Sequence, residues 1–124
     1  MKHYHIYLGR ERGKYTIHKV GQTTQTCWAR CHSADYLIGL SYEIFFPEEM
    51  PYYTRQKFLN EAEKFIIKSF GDRFNVVHGN EYFRTTKKYW PEVREIFIAE
   101  MDGYFADKGW DYKVHEGWVA PNTY

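Results

Sequence analysis

The sequence predicts one α+β domain: a small, mostly antiparallel three-stranded sheet flanked by helices, with an extra C-terminal helix and tail. Three observations predict it. Two short alternating runs within residues 3–20 are separated by a charged turn containing glycine, the pattern of a hairpin. A longer β-prone run over residues 36–46 halts at Pro47. Two later stretches, 51–70 and 91–105, carry apolar residues at helical spacing. A net charge of +1 and 44% hydrophobic residues argue against disorder, and no repeat or linker divides the 124 residues.

Each element has a local reason. His3 to Leu8 reads as a strand with Tyr4, Ile6 and Leu8 on one face and His5 and Tyr7 on the other. Gly9 to Lys14 reads as the turn, and Tyr15 to Val20 as the returning strand. A threonine at 23, 24 or 26 is suited to cap a short helix running through Trp28 and Arg30 to about His32. Pro51 and Thr54 start a longer helix that Gly71 is expected to stop, with Phe58, Ala62, Phe65, Ile66 and Ser69 as its buried stripe. His78-Gly79-Asn80 is a turn, and Glu81 to Thr85 is a short strand or extended segment. Pro91 opens the last helix, with Val93, Ile96, Phe97 and Met101 inward. The tail from Lys108 to Tyr124 is aromatic without a clear period.

Composition narrows the function classes. The N-terminal third is basic: Lys2, Arg10, Arg12, Lys14, Lys19 and Arg30 face Glu11 alone, a surface suited to phosphate. Cys27 and Cys31 share a helical face, and with His32 beside them they fall short of a full zinc ligand set; a reducing cytoplasm is the expected setting. No apolar run approaches the ~18 residues of a membrane span, so no membrane partner is expected. The run Lys19-Val20-Gly21-Gln22-Thr23-Thr24, with Arg30 downstream, joins a strand end to a polar helix start. Backbone N–H groups and a guanidinium there are suited to hold phosphate oxygens.

Read in order, these residues resemble the GIY-YIG nuclease superfamily, in particular its divergent phage-encoded branch. His5-Ile6-Tyr7 stands for the first family motif and Lys19-Val20-Gly21 for the second. Gln22-Thr23-Thr24 and Arg30 follow as the polar segment and the arginine of the first helix. Glu63 is the best match for the glutamate of a later helix, and Gly79-Asn80-Glu81-Tyr82-Phe83 for the loop after it. The resemblance covers residues 3–84, leaving 85–124 as a C-terminal helix and aromatic tail. Two departures stand out: Lys19 replaces a tyrosine, and Arg30 lies one residue farther from Gly21 than the pattern has it.

The resemblance implies metal-dependent hydrolysis of phosphodiester bonds in DNA, with one metal site per chain. Tyr7, Lys19, Arg30 and Glu63 would be the catalytic residues. Glu63 would hold Mg²⁺ or Mn²⁺, a hard cation that keeps several waters and needs few carboxylates. Tyr7 would hold or deprotonate the attacking water, and Lys19 would supply the cation that makes a phenol a usable base. Arg30 would clamp the scissile phosphate. Gly21, Gln22, Thr23, Asn80 and Lys14 are the candidate substrate contacts. The expectation for specificity is weak sequence preference, recognition of a DNA structure, or targeting through a partner or a homodimer. The alternative is a catalytically silent nucleic-acid-binding or protein-interaction module on the same fold.

Overall fold

The computed structural model describes residues 2–11, 13–14, 16–25, 36–85 and 90–116, with backbone alone at 36, 37 and 90. The elements run β1 (His5–Glu11), β2 (Ile17–Thr23), β3 (Tyr36–Phe45), α1 (Tyr52–Arg73), β4 (Asn75–His78), β5 (Tyr82–Arg84), α2 (Trp90–Lys108) and β6 (Asp111–Glu116). The six strands form one sheet in the order β4-β5-β2-β1-β3-β6, antiparallel at every junction.

The expected three-stranded sheet is therefore corrected to six strands, with two helices among the described residues. The three expected strands form the middle of the sheet, and β4, β5 and β6 extend it at both edges. β6 arises from the stretch read as an aperiodic tail, where Asp111 to Glu116 pair with Phe45 back to Leu40. It carries no alternation because it is an edge strand exposed on most of its length. β4 is also an exposed edge, four residues long.

The hairpin is longer and its turn shorter than the composition suggests. Gly9, Arg10 and Glu11 remain in β1, and the tight position falls on Gly13, with φ 72°. β2 runs on through Gly21, Gln22 and Thr23, which pair with Tyr7, Ile6 and His5. The backbone expected to open a helix toward phosphate is thus part of the sheet ladder. Residues 26–35, which include Arg30, Cys27 and Cys31, lie outside the described residues.

α1 also passes its expected stop. Gly71 stays helical rather than left-handed, and the Phe74 N–H closes the last turn on the Phe70 carbonyl at 2.8 Å. Its fully buried stripe is Leu59, Ala62, Ile66 and Phe70, rotated from the expected one; Phe58, Phe65 and Ser69 are half-buried. α2 buries Val93, Phe97, Met101 and Phe105. These two stripes pack with Tyr4, Ile6, Leu8, Val20, Leu40, Tyr42, Ile44 and Phe83 in one apolar core. Tyr42 ties sheet to helix by donating to Asp102 Oδ1 at 2.6 Å.

Candidate functional site

Strand alternation puts the remaining side chains of the central strands on the opposite face of the sheet. There β1 presents His5 and Tyr7, β2 presents Ile17, Lys19, Gly21 and Thr23, and β3 presents Ser41 and Glu43. None of them belongs to the apolar core cluster, yet His5, Tyr7, Ile17, Lys19 and Ser41 are all buried. Buried polar groups are costly unless they are partnered. Their partnerships define the site.

The first partnership joins Tyr7 and Lys19. Lys19 Nζ donates to Tyr7 Oη at 2.7 Å, with Tyr7 fully buried and Lys19 only 4% exposed. The ammonium also lies 3.9 Å from Glu81 Oε2 and 5.7 Å above the Tyr82 ring. Gly21, the cross-strand partner of Tyr7, leaves the room this requires. A Cβ at Gly21 would stand 2.6 Å from Tyr7 Oη and 3.2 Å from Lys19 Nζ. Glycine is needed here for the space it leaves, because its backbone is ordinary strand.

The second partnership is a histidine–carboxylate cluster on the same face. Glu43 accepts from His3 Nδ1 through Oε2 and from His115 Nε2 through Oε1, both at 2.9 Å. His5, the cross-strand partner of Glu43, places Nδ1 2.8 Å from Ser41 Oγ. Burial pushes the His5 imidazole down to about 4, against the pull of Glu43, so the ring is neutral near pH 7. Burial alone would raise the Glu43 carboxyl; the hydrogen bonds from His3 and His115 outweigh it and leave the group below its usual range. A depression of about 310 Å³ opens beside the cluster, with Lys2, His3, Glu43 and Arg55 in its lining.

Glu63 belongs to the other side of the sheet. It borders the buried stripe of α1, and its Oε1 accepts from Gln22 Nε2 at 3.2 Å. Gln22 also donates to Asn60 Oδ1 at 2.6 Å and accepts from Gln56 Nε2 at 2.8 Å. Gln22 pairs with Ile6, whose side chain points into the helix-covered core, whereas Tyr7 points away from it. The structure therefore brings Tyr7, Lys19 and Gly21 together and does not bring Glu63 to them. As a seat for Mg²⁺ at the Tyr7 hydroxyl, the Glu63 carboxylate does not fit: the sheet lies between, and an amide donor faces its oxygen.

The other expected contacts scatter. Thr23 turns its Oγ1 to the backbone N–H of Gln25 at 3.0 Å, a local turn bond. Asn80 is exposed in the turn before β5, and Lys14 is exposed and paired with Glu11 at 3.6 Å. Arg30 lies outside the described residues. Sequence reasoning missed Glu43, His115, His3 and Glu81. The polar side of β1, with His3, His5 and Tyr7 at alternate positions, was the available signal. No family model, curated protein or solved structure matches the chain. No helix among the described residues is long and apolar enough to cross a membrane.

Proposed function

We propose that this protein hydrolyses phosphodiester bonds in nucleic acid, DNA foremost, in the cytoplasm, and that Tyr7 and Lys19 form its reacting pair. The observation that carries the reading is the 2.7 Å hydrogen bond from Lys19 Nζ to Tyr7 Oη across the hairpin. A phenol is a poor base at neutral pH, and an adjacent ammonium favours its ionised form. As phenolate, Tyr7 takes the proton of a water while that water's oxygen bonds to phosphorus. The bond from phosphorus to the sugar oxygen then breaks, and the leaving oxygen is protonated by solvent. Lys19 holds positive charge where negative charge develops. Mg²⁺ or Mn²⁺ would supply Lewis acidity toward the phosphate, held by phosphate oxygens and water rather than by Glu63. The resemblance of His5-Ile6-Tyr7 and Lys19-Val20-Gly21 to GIY-YIG nuclease motifs supports the same assignment.

A second reading has its own support. Tyr7 is fully closed from solvent, which suits a phenol–ammonium tie inside a catalytically silent nucleic-acid-binding or protein-interaction module. Incubation with supercoiled plasmid separates the two. The nuclease reading expects nicks with Mg²⁺ or Mn²⁺ that EDTA abolishes and that Lys19→Met reduces by ~100-fold or more. Clean wild-type protein that binds DNA in a salt-sensitive manner without cutting it would establish the silent module instead.

A further inference from the structure

The cluster beside the Tyr7–Lys19 pair has a chemistry of its own. His3, His5 and Glu43 each offer one ligand atom, and these atoms lie within 4.8 Å of one another. They come from three places in the chain that the sheet register brings together: the entry to β1, β1 itself, and β3 opposite it. We propose that His3, His5 and Glu43 form a binding site for a divalent transition cation of the zinc class, with His115 holding the second oxygen of Glu43.

The donor set argues for that cation. Two imidazoles and one carboxylate suit zinc and its neighbours better than Mg²⁺, which prefers oxygen ligands and water. Three protein ligands leave a fourth tetrahedral position open, the arrangement of reactive rather than purely structural zinc sites. Ligands at about 2.0–2.2 Å from one ion stand roughly 3.4 Å apart in a tetrahedron. The 2.9 Å separation of His3 Nδ1 and Glu43 Oε2 is already close to that. The remaining separations, all within 4.8 Å, can close by side-chain rotation, for which His3 has room at 38% exposure.

The surroundings are those of a supported site. His115 fixes the carboxylate through its other oxygen, and Ser41 Oγ lies 2.8 Å from His5 Nδ1, contacts of the kind that orient ligating groups. The depression reaches His3 and Glu43 and gives an entry path. Lys2 in its lining suits an anionic fourth ligand, such as a phosphate oxygen, while Arg55 is committed to the carbonyls of Pro47, Glu48 and Met50. The site goes beyond the nuclease reading and does not require it.

The test is titration of the full chain with Zn²⁺ against a chromophoric chelator, together with the visible spectrum of the Co²⁺ form. One equivalent of Zn²⁺ should bind, and the Co²⁺ spectrum should be tetrahedral without a thiolate charge-transfer band. Glu43→Gln, nearly isosteric, should weaken binding by more than the ~10–100-fold expected of His115→Gln, which removes an outer-shell partner. His3→Ala, at a half-exposed position, should weaken it as strongly as Glu43→Gln and guards against misfolding of that variant. The double variant Cys27→Ser/Cys31→Ser should bind as wild type does. Failure of the wild type to bind overturns the proposal, as does binding that survives both His3→Ala and Glu43→Gln or is lost with the cysteines. Tight binding without DNA cleavage leaves this site standing and removes the nuclease reading; cleavage without binding does the reverse.

Discussion

The two faces of the central sheet are built from the same strands and solve different problems. On the helix-covered face, Ile6, Leu8, Val20, Leu40 and Ile44 meet Leu59, Ile66, Phe70, Phe97 and Phe105, and burial of apolar surface alone justifies their position. On the other face, His5, Tyr7, Lys19 and Ser41 are buried just as deeply but stay acceptable only through their partners. An apolar face can be repacked with residues of similar volume. A buried phenol–ammonium pair beside a histidine–carboxylate cluster has no such freedom, and burying it costs stability that a simpler core would keep. That contrast is the main physical reason to seek function on the polar face.

The contrast can be broken in several ways. The largest effect should come from Phe97→Ala, which empties the shared core of both helices and should cost about 3–5 kcal/mol in denaturant unfolding without altering metal or DNA binding below the transition. Next comes His18, a fully buried ring whose Nδ1 lies 3.1 Å from Thr85 Oγ1. Burial, with help from Arg10, lowers it from 6.5 to about 4. The unfolded chain therefore takes up a proton first as the pH falls. Stability from this group is complete above pH ~6.5 and lost down to pH ~4, about 3 kcal/mol in all. His18→Gln should flatten the unfolding free energy between pH 7 and 5 by up to one proton's slope; an unchanged slope would refute the neutral buried ring.

A smaller, more pointed effect is expected at Gly21. The alanine methyl would meet Tyr7 Oη at 2.6 Å, so Gly21→Ala should cost about 1–3 kcal/mol. Tyr7→Phe in the same chain should restore part of that, a coupling that a double-mutant cycle measures directly. Strict additivity would mean that the glycine and the phenol do not share that space. The smallest effect belongs to Lys68→Ala: its pair with Asp72 is exposed at both ends, and the change should stay within ~0.5 kcal/mol.

What the residues disclosed in advance follows the same division. The alternation of Tyr4, Ile6 and Leu8 against His5 and Tyr7 was readable because one face of β1 is apolar, and the α2 stripe was readable from Val93, Phe97 and Met101. β6 was not, because Asp111 to Glu116 is an edge segment made a strand by pairing with β3 rather than by its own pattern. With β6 hidden, the contact between His115 and Glu43, 72 residues apart, was hidden too. The Tyr7–Lys19 contact was legible because a hairpin fixes cross-strand neighbours locally. The position of Glu63 was legible only halfway: its place beside the buried stripe of α1 followed from helical spacing, but the face of the sheet that α1 covers did not.

Plasmid cleavage in Mn²⁺, with two variants compared at equal folded concentration, decides whether chemistry belongs to the polar face. Tyr7→Phe removes one hydroxyl from the polar face; Glu63→Gln removes one charge from the helix side. Tyr7→Phe should lower the cleavage rate by ~100-fold or more while Glu63→Gln stays near wild type. Cleavage that survives Tyr7→Phe and disappears with Glu63→Gln would contradict a reacting centre on the polar face.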